Sequence, residues 1–112
     1  MKLTYYRAIF LHLSVVLTFL FGFSVHAQIV QIGQDIDGEA ALDYSGKSVS
    51  MNAAGDRVAI GANGNDGNGS YAGHVRIYDW NGTLWTQQGQ DIDGEAANDG
   101  SGASISMNAA GD

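Results

Sequence analysis

The chain has 112 residues with no cysteine and no proline, and five Lys+Arg stand against twelve Asp+Glu for a formal net charge of -7. That length accommodates one domain at most. The missing thiols exclude a disulfide framework, a thiolate metal site and lipid attachment through an N-terminal cysteine, and the acidity argues against nucleic acid and anionic lipid surfaces, which are held by clustered Lys and Arg.

Residues 1–27 read as a secretory signal peptide, a helix that is cut away on export. Lys2 and Arg7 supply the positive start, residues 8–23 (AIFLHLSVVLTFLFGF) the apolar stretch, and Val25 and Ala27 the small residues before a cut that leaves Gln28 as the new N-terminus. The apolar run is short for a membrane span of about 20 residues and His12 interrupts it, so no stable membrane span is expected after cleavage. His12 and His26 leave with the peptide, and His74 is then the one histidine of the mature chain. From residue 28 onward three basic residues, Lys47, Arg57 and Arg76, face all twelve acidic ones.

An internal duplication follows. Residues 33–56 (GQDIDGEAALDYSGKSVSMNAAGD) and 89–112 (GQDIDGEAANDGSGASISMNAAGD) agree at 20 of 24 positions at an offset of 56, differing only at Leu42/Asn98, Tyr44/Gly100, Lys47/Ala103 and Val49/Ile105. A period above 40 residues suits a four-stranded unit with long loops better than most helical repeats.

Within the period the pattern is β throughout. Ser48-Val49-Ser50-Met51 alternates as a strand with two different faces, Ala53-Ala54-Gly55-Asp56 reads as a hairpin connection, and Arg57 to Ala62 as a second strand. Asn63 to Gly73 (NGNDGNGSYAG) is loop by composition. His74 to Trp80 (HVRIYDW) is a third strand, which Asn81-Gly82 joins through a tight hairpin to a fourth over Thr83-Leu84-Trp85-Thr86. Glu39 to Leu42 has room for a single helical turn and no more.

Tyr44-Ser45-Gly46 before the first strand, Ile60-Gly61-Ala62-Asn63 closing the second and Gly73-His74-Val75-Arg76-Ile77-Tyr78 opening the third together resemble the FG-GAP repeats. The string IGQDIDGEAALDYSG with the Asn81-Gly82 turn and Trp85 resembles their secreted, Bacteroidetes-like bacterial subgroup, and is distantly similar to the propeller of integrin α subunits. The FG position carries Ser45-Gly46 and the GAP position Gly61-Ala62-Asn63. The resemblance implies an all-β chain of β-propeller blade repeats: one four-stranded antiparallel blade with partial neighbours, behind the signal-peptide helix. It spans residues 29–112, and the family serves adhesion, ligand binding and scaffolding alike.

The expected organisation is a signal peptide over 1–27, an N-terminal strand in fourth-strand register over 28–33, a complete repeat over 34–88 and a truncated second repeat over 89–112. A single repeat unit cannot bury its apolar faces alone. The sequence is therefore expected to be a piece of a longer protein, with further blades covering Val49, Val58, Ile60, Val75 and Ile77.

Several residue groups could carry chemistry. Asp35, Asp37, Glu39 and Asp43 recur as Asp91, Asp93, Glu95 and Asp99, and closely spaced hard oxygens are what Ca²⁺ requires. The candidate metal ligands are Asp35, Asp37, Asp43, Asp91, Asp93 and Asp99, with calcium as the one cofactor the sequence offers. The resemblance supplies the D-x-D-x-D-G-x-x-D calcium loop of integrin repeats for comparison. Aligned on Asp37-Gly38, it leaves Gly33 and Ala41 where the first and last carboxylates belong, so a merely solvated acidic loop stands beside calcium binding. Asn63, Asn65, Asp66 and Asn68 alternate with glycine in a way that also serves turn formation. Asn68-Gly69-Ser70 and Asn81-Gly82-Thr83 have the form of glycosylation acceptors. His74 has no nucleophile beside it in sequence and reads as structural, while Tyr71, Tyr78, Trp80 and Trp85 serve either core packing or sugar stacking. No catalytic residues are expected. The expectation is an exported, non-catalytic binding or scaffold module, of the adhesion kind, at the cell surface or outside the cell, with a protein or glycan ligand whose identity the sequence does not specify. The alternative is the accessory propeller of a secreted hydrolase.

Overall fold

The computed structural model describes residues 27–112; the signal-peptide reading of the preceding segment lies outside the described residues. The chain divides into a unit of residues 1–30 and a unit of residues 31–112, and of the first the described residues 27–30 carry no regular secondary structure. Among the described residues no helix is long and apolar enough to cross a membrane.

The second unit is all-β. β1 (Ser48–Met51), β2 (Arg57–Ala62), β3 (His74–Trp80) and β4 (Trp85–Gln87) form an antiparallel meander in that order, and β5 (Ile92–Asp93) pairs with β3. β4 and β5 both lie on the outer edge of β3, where Tyr78 pairs with Gln87 and Val75 with Ile92. Between these pairings β3 has two residues, Arg76 and Ile77, while the opposing chain has four, Gln88 to Asp91. The surplus is taken up in a bulge that Gly89 enters at φ +70° and that the Gln88 N–H pins by donating to the Ile77 carbonyl at 2.8 Å. A bulge re-aims the side chains beside it, and here it brings Asp91 to His74.

The first three strands fall where alternation and turn residues place them. The fourth does not: it spans Trp85–Gln87 rather than Thr83–Thr86. The Asn81 side-chain oxygen accepts from the N–H groups of Thr83 and Leu84 at 2.9 and 2.8 Å, and the Asn81 N–H donates to the Leu84 carbonyl at 3.0 Å. Asn81 thus stabilises a four-residue loop by bonding the backbone ahead of it, which displaces the expected two-residue Asn-Gly hairpin. Residues 28–33 carry no strand.

Register assigns the faces. Val49, Met51, Val58, Ile60, His74, Arg76, Tyr78 and Trp80 share one side of the sheet, and Ser48, Ser50, Arg57, Ala59, Gly61, Val75, Ile77 and Asp79 the other. The start of the first sequence copy lies against the β3–β4 end of the former. Gln34 exchanges two hydrogen bonds with the Trp85 backbone, at 2.7 and 3.1 Å, and Arg76 donates to the Asp37 carbonyl at 2.9 Å.

The second copy crosses the opposite face. Ser48 Oγ donates to the Gly102 carbonyl at 2.6 Å, the Met107 N–H donates to Ser50 Oγ at 2.9 Å, and Arg57 Nη1 donates to the Gly111 carbonyl at 2.8 Å. Gly61 permits this approach, because a Cβ there would fall on the Gly102 carbonyl. Among the described residues the buried apolar core is small: Val58, Ala59, Ala62, Ala72 and Tyr78.

The two copies fold alike. Leu42 and Asn98 take φ of 73° and 68°, Tyr44 and Gly100 56° and 61°, and Gly46 and Gly102 82° each. The Asn52–Asp56 side-chain bond at 2.7 Å returns as Asn108–Asp112 at 2.6 Å, and Gln31–Asp35 at 2.7 Å as Gln87–Asp91 at 2.6 Å. Conformation therefore follows the duplicated residues even though residues 104–107 form no strand while their counterparts form β1.

Leu42 is 70 % exposed and left-handed where the second copy has Asn98. The left-handed region costs a residue with a Cβ about 1–2 kcal/mol, less for Asn, which can bond locally. Leu42→Asn is expected to stabilise the chain by about 0.5–1 kcal/mol, read as a raised thermal midpoint. An unchanged or lowered midpoint contradicts the strain argument.

Candidate functional site

The period-2 geometry of β3 sets His74, Arg76 and Tyr78 in one column on the side covered by the first copy. All three are buried, His74 to 1 % exposure. Burying cationic and polar groups is unfavourable unless partners replace water, and the acidic loop provides them. Arg76 Nη1 lies 3.7 Å from Glu39 Oε1, Nη2 donates to the Asp37 carbonyl, and the guanidinium sits 5.7 Å from the centre of the Tyr78 ring, within cation–π range. Burial pushes the Tyr78 phenol above its ordinary value; Arg76 opposes this, and Asp91 and Glu39 add to it.

His74 Nδ1 faces two carboxylates, Asp91 Oδ2 at 3.5 Å and Glu39 Oε2 at 3.9 Å. Asn65 holds the arrangement from behind, its Nδ2 donating to Asp43 Oδ2 at 2.8 Å and to Glu39 Oε2 at 3.3 Å. Asp43 and Asn65 are both buried.

The six aspartates singled out from the sequence take separate positions. Asp35 accepts from Gln31 and Asp91 from Gln87. Asp37 contributes its backbone carbonyl to Arg76, Asp43 bonds Asn65, Asp93 lies in β5 opposite His74, and Asp99 accepts from the Ala96 N–H at 2.8 Å. Among the described residues, the carboxylate and imidazole atoms that do converge, all within 4.8 Å of one another, belong to Glu39, His74 and Asp91. Sequence reasoning gave His74 a structural role and did not place Glu39 among the ligands. The grouping needs a register that only the bulge at residues 88–91 creates.

The other candidates are engaged locally. Asn68 Nδ2 donates to the Gly94 carbonyl at 2.7 Å, and Asn65 and Asp66 accept from the N–H groups of Gly67 and Tyr71. Trp80 and Trp85 pack as a cross-strand pair with ring centres 5.4 Å apart and planes inclined at 52°. A groove of about 290 Å³ beside them is lined by Asn52, Asp56, Arg57, Asp79, Trp80 and Ala110.

Compared with protein-family models, curated proteins and solved structures, the chain matches none.

Arg57 and Asp79 form the charged wall of that groove through two parallel bonds, Nε to Oδ1 at 2.6 Å and Nη2 to Oδ2 at 2.7 Å. These hydrogen bonds hold the Asp79 carboxyl below its ordinary value; partial burial opposes the effect and the guanidinium charge reinforces it. A carboxyl depressed in the folded state stabilises the fold above its unfolded pKa, and that stabilisation is lost as pH falls through the folded value. Asp79→Asn is therefore expected to unfold at lower urea than the parent at pH 7, with the difference closing below the ordinary aspartate value of about 4. A pH-independent difference contradicts this assignment.

Proposed function

We propose that the chain is part of an exported FG-GAP-like repeat protein that acts as a non-catalytic binding or scaffold module at the cell surface or outside the cell. The carrying observation is the duplication of a 24-residue segment at an offset of 56, whose copies share left-handed positions and side-chain bonds, the second crossing one face of the antiparallel sheet to which the first contributes β1. A sheet covered on one face by the next copy of a segment that itself supplies one of its strands is how a stacked array propagates, each unit burying its neighbour. The all-β meander with its outer strand is compatible with one propeller blade, and the acidic surface fits an extracellular protein that is not held by anionic polymers.

Expression in a Gram-negative host tests the reading. The expected product begins at Gln28, is recovered outside the cytoplasm, and is removed from intact cells or medium by added protease. Retention of Met1 through Ala27 on the extracytoplasmic product, or confinement to the cytoplasm, contradicts it.

A further inference from the structure

The buried imidazole between two carboxylates carries an inference independent of the export reading. We propose that Glu39, His74 and Asp91 form a three-ligand site for a divalent first-row transition ion, with Zn²⁺ the expected occupant and water completing its coordination.

Three observations point the same way. The first is the donor set. One imidazole nitrogen and two carboxylate oxygens lie within 4.8 Å of one another, and His74 Nδ1 is 3.5 and 3.9 Å from the nearest oxygen of each acid. Ligands bound tetrahedrally to zinc at about 2.0–2.1 Å stand about 3.3–3.5 Å apart, so small side-chain rotations close the site. The second is His74 itself. Among the described residues it is the one large side chain under 2 % exposed, and Asp91 is its nearest charged partner at a separation too long for a well-made hydrogen bond. The third is the supporting shell. Arg76 approaches the other oxygen of Glu39, and the Asn65 amide, itself fixed by Asp43, reaches the oxygen that faces His74. Polar partners that orient ligating carboxylates are characteristic of metal sites. Glu39 and Asp91 remain partly open, with side-chain exposures of 47 % and 26 %, which gives an ion a way in.

The imidazole decides the metal. Calcium takes six to eight oxygens, whereas imidazole favours zinc and its transition-metal neighbours. The ligands also come from different places in the repeat. Glu39 belongs to the first copy and Asp91 to the second, where it corresponds to Asp35 rather than to Glu39. The site is thus a junction site that neither copy builds alone, and ion binding would tie successive copies together.

Calorimetric titration of the purified full chain with zinc chloride tests the proposal. The expected result is saturable binding of one ion per chain, weakened at least tenfold by Glu39→Gln and by His74→Gln, and unaffected by Asp35→Asn with Asp37→Asn. Glu39 is exposed enough that its substitution leaves the fold intact, which circular dichroism verifies. Absence of saturable zinc binding, binding retained in both single variants, binding lost with Asp35→Asn and Asp37→Asn, or calcium competing on equal terms with zinc each overturns it.

Discussion

The contact on which the unit depends is the approach of two backbones at Gly61 and Gly102. β2 offers Gly61 on the side where the second copy crosses, and the turn through Gly102 settles onto it with its carbonyl accepting from Ser48. Such an approach leaves no space for a side chain, and its attraction comes from close packing and hydrogen bonding rather than from large apolar groups. Remove it, and the Ser50, Arg57 and Gly111 contacts that follow along the same face lose their alignment.

A sheet with so few buried apolar residues has little hydrophobic driving force of its own. The buried set of Val58, Ala59, Ala62, Ala72 and Tyr78 contains two large side chains, and full burial of such a group contributes about 1.5–3 kcal/mol against chain entropy. Val49 and Met51 stay about half exposed on β1, whereas Ile105 and Met107, their counterparts in the second copy, are partly covered. The difference follows from which neighbour each copy has: the second rests on the sheet of the first. Polar organisation makes up part of the balance, with His74 and Arg76 of the buried column met by carboxylates and a carbonyl from loops at both ends of the repeat.

The first three strands were legible because alternation and glycine-rich punctuation are local properties, fixed by residues a few positions apart. The fourth strand shifted because one side chain, Asn81, satisfied backbone groups two and three residues ahead, a choice between turn types that the Asn-Gly pair alone does not determine. β5 was invisible, since Ile92-Asp93 sits in a polar string and pairs only once the bulge at residues 88–91 forms. The candidate site was half legible. The acidic residues were evident, and their duplication was evident, yet the ligand cluster combines Glu39 and Asp91 from unlike positions of the two copies with a histidine between them. Periodicity groups equivalent residues, while the fold brings together inequivalent ones.

The second copy holds the sheet together by crossing it at Gly61, and Gly61→Ala probes this most directly, with thermal unfolding and amide hydrogen exchange as readouts. A methyl group at Gly61 meets the Gly102 carbonyl and cannot be accommodated by rotating a side chain. The predicted result is destabilisation of about 2–3 kcal/mol, with protection lost first at the Ala53 amide, which donates to Ala109, and at the Met107 amide, which donates to Ser50. A variant that melts with the parent and keeps both amides protected would contradict the account.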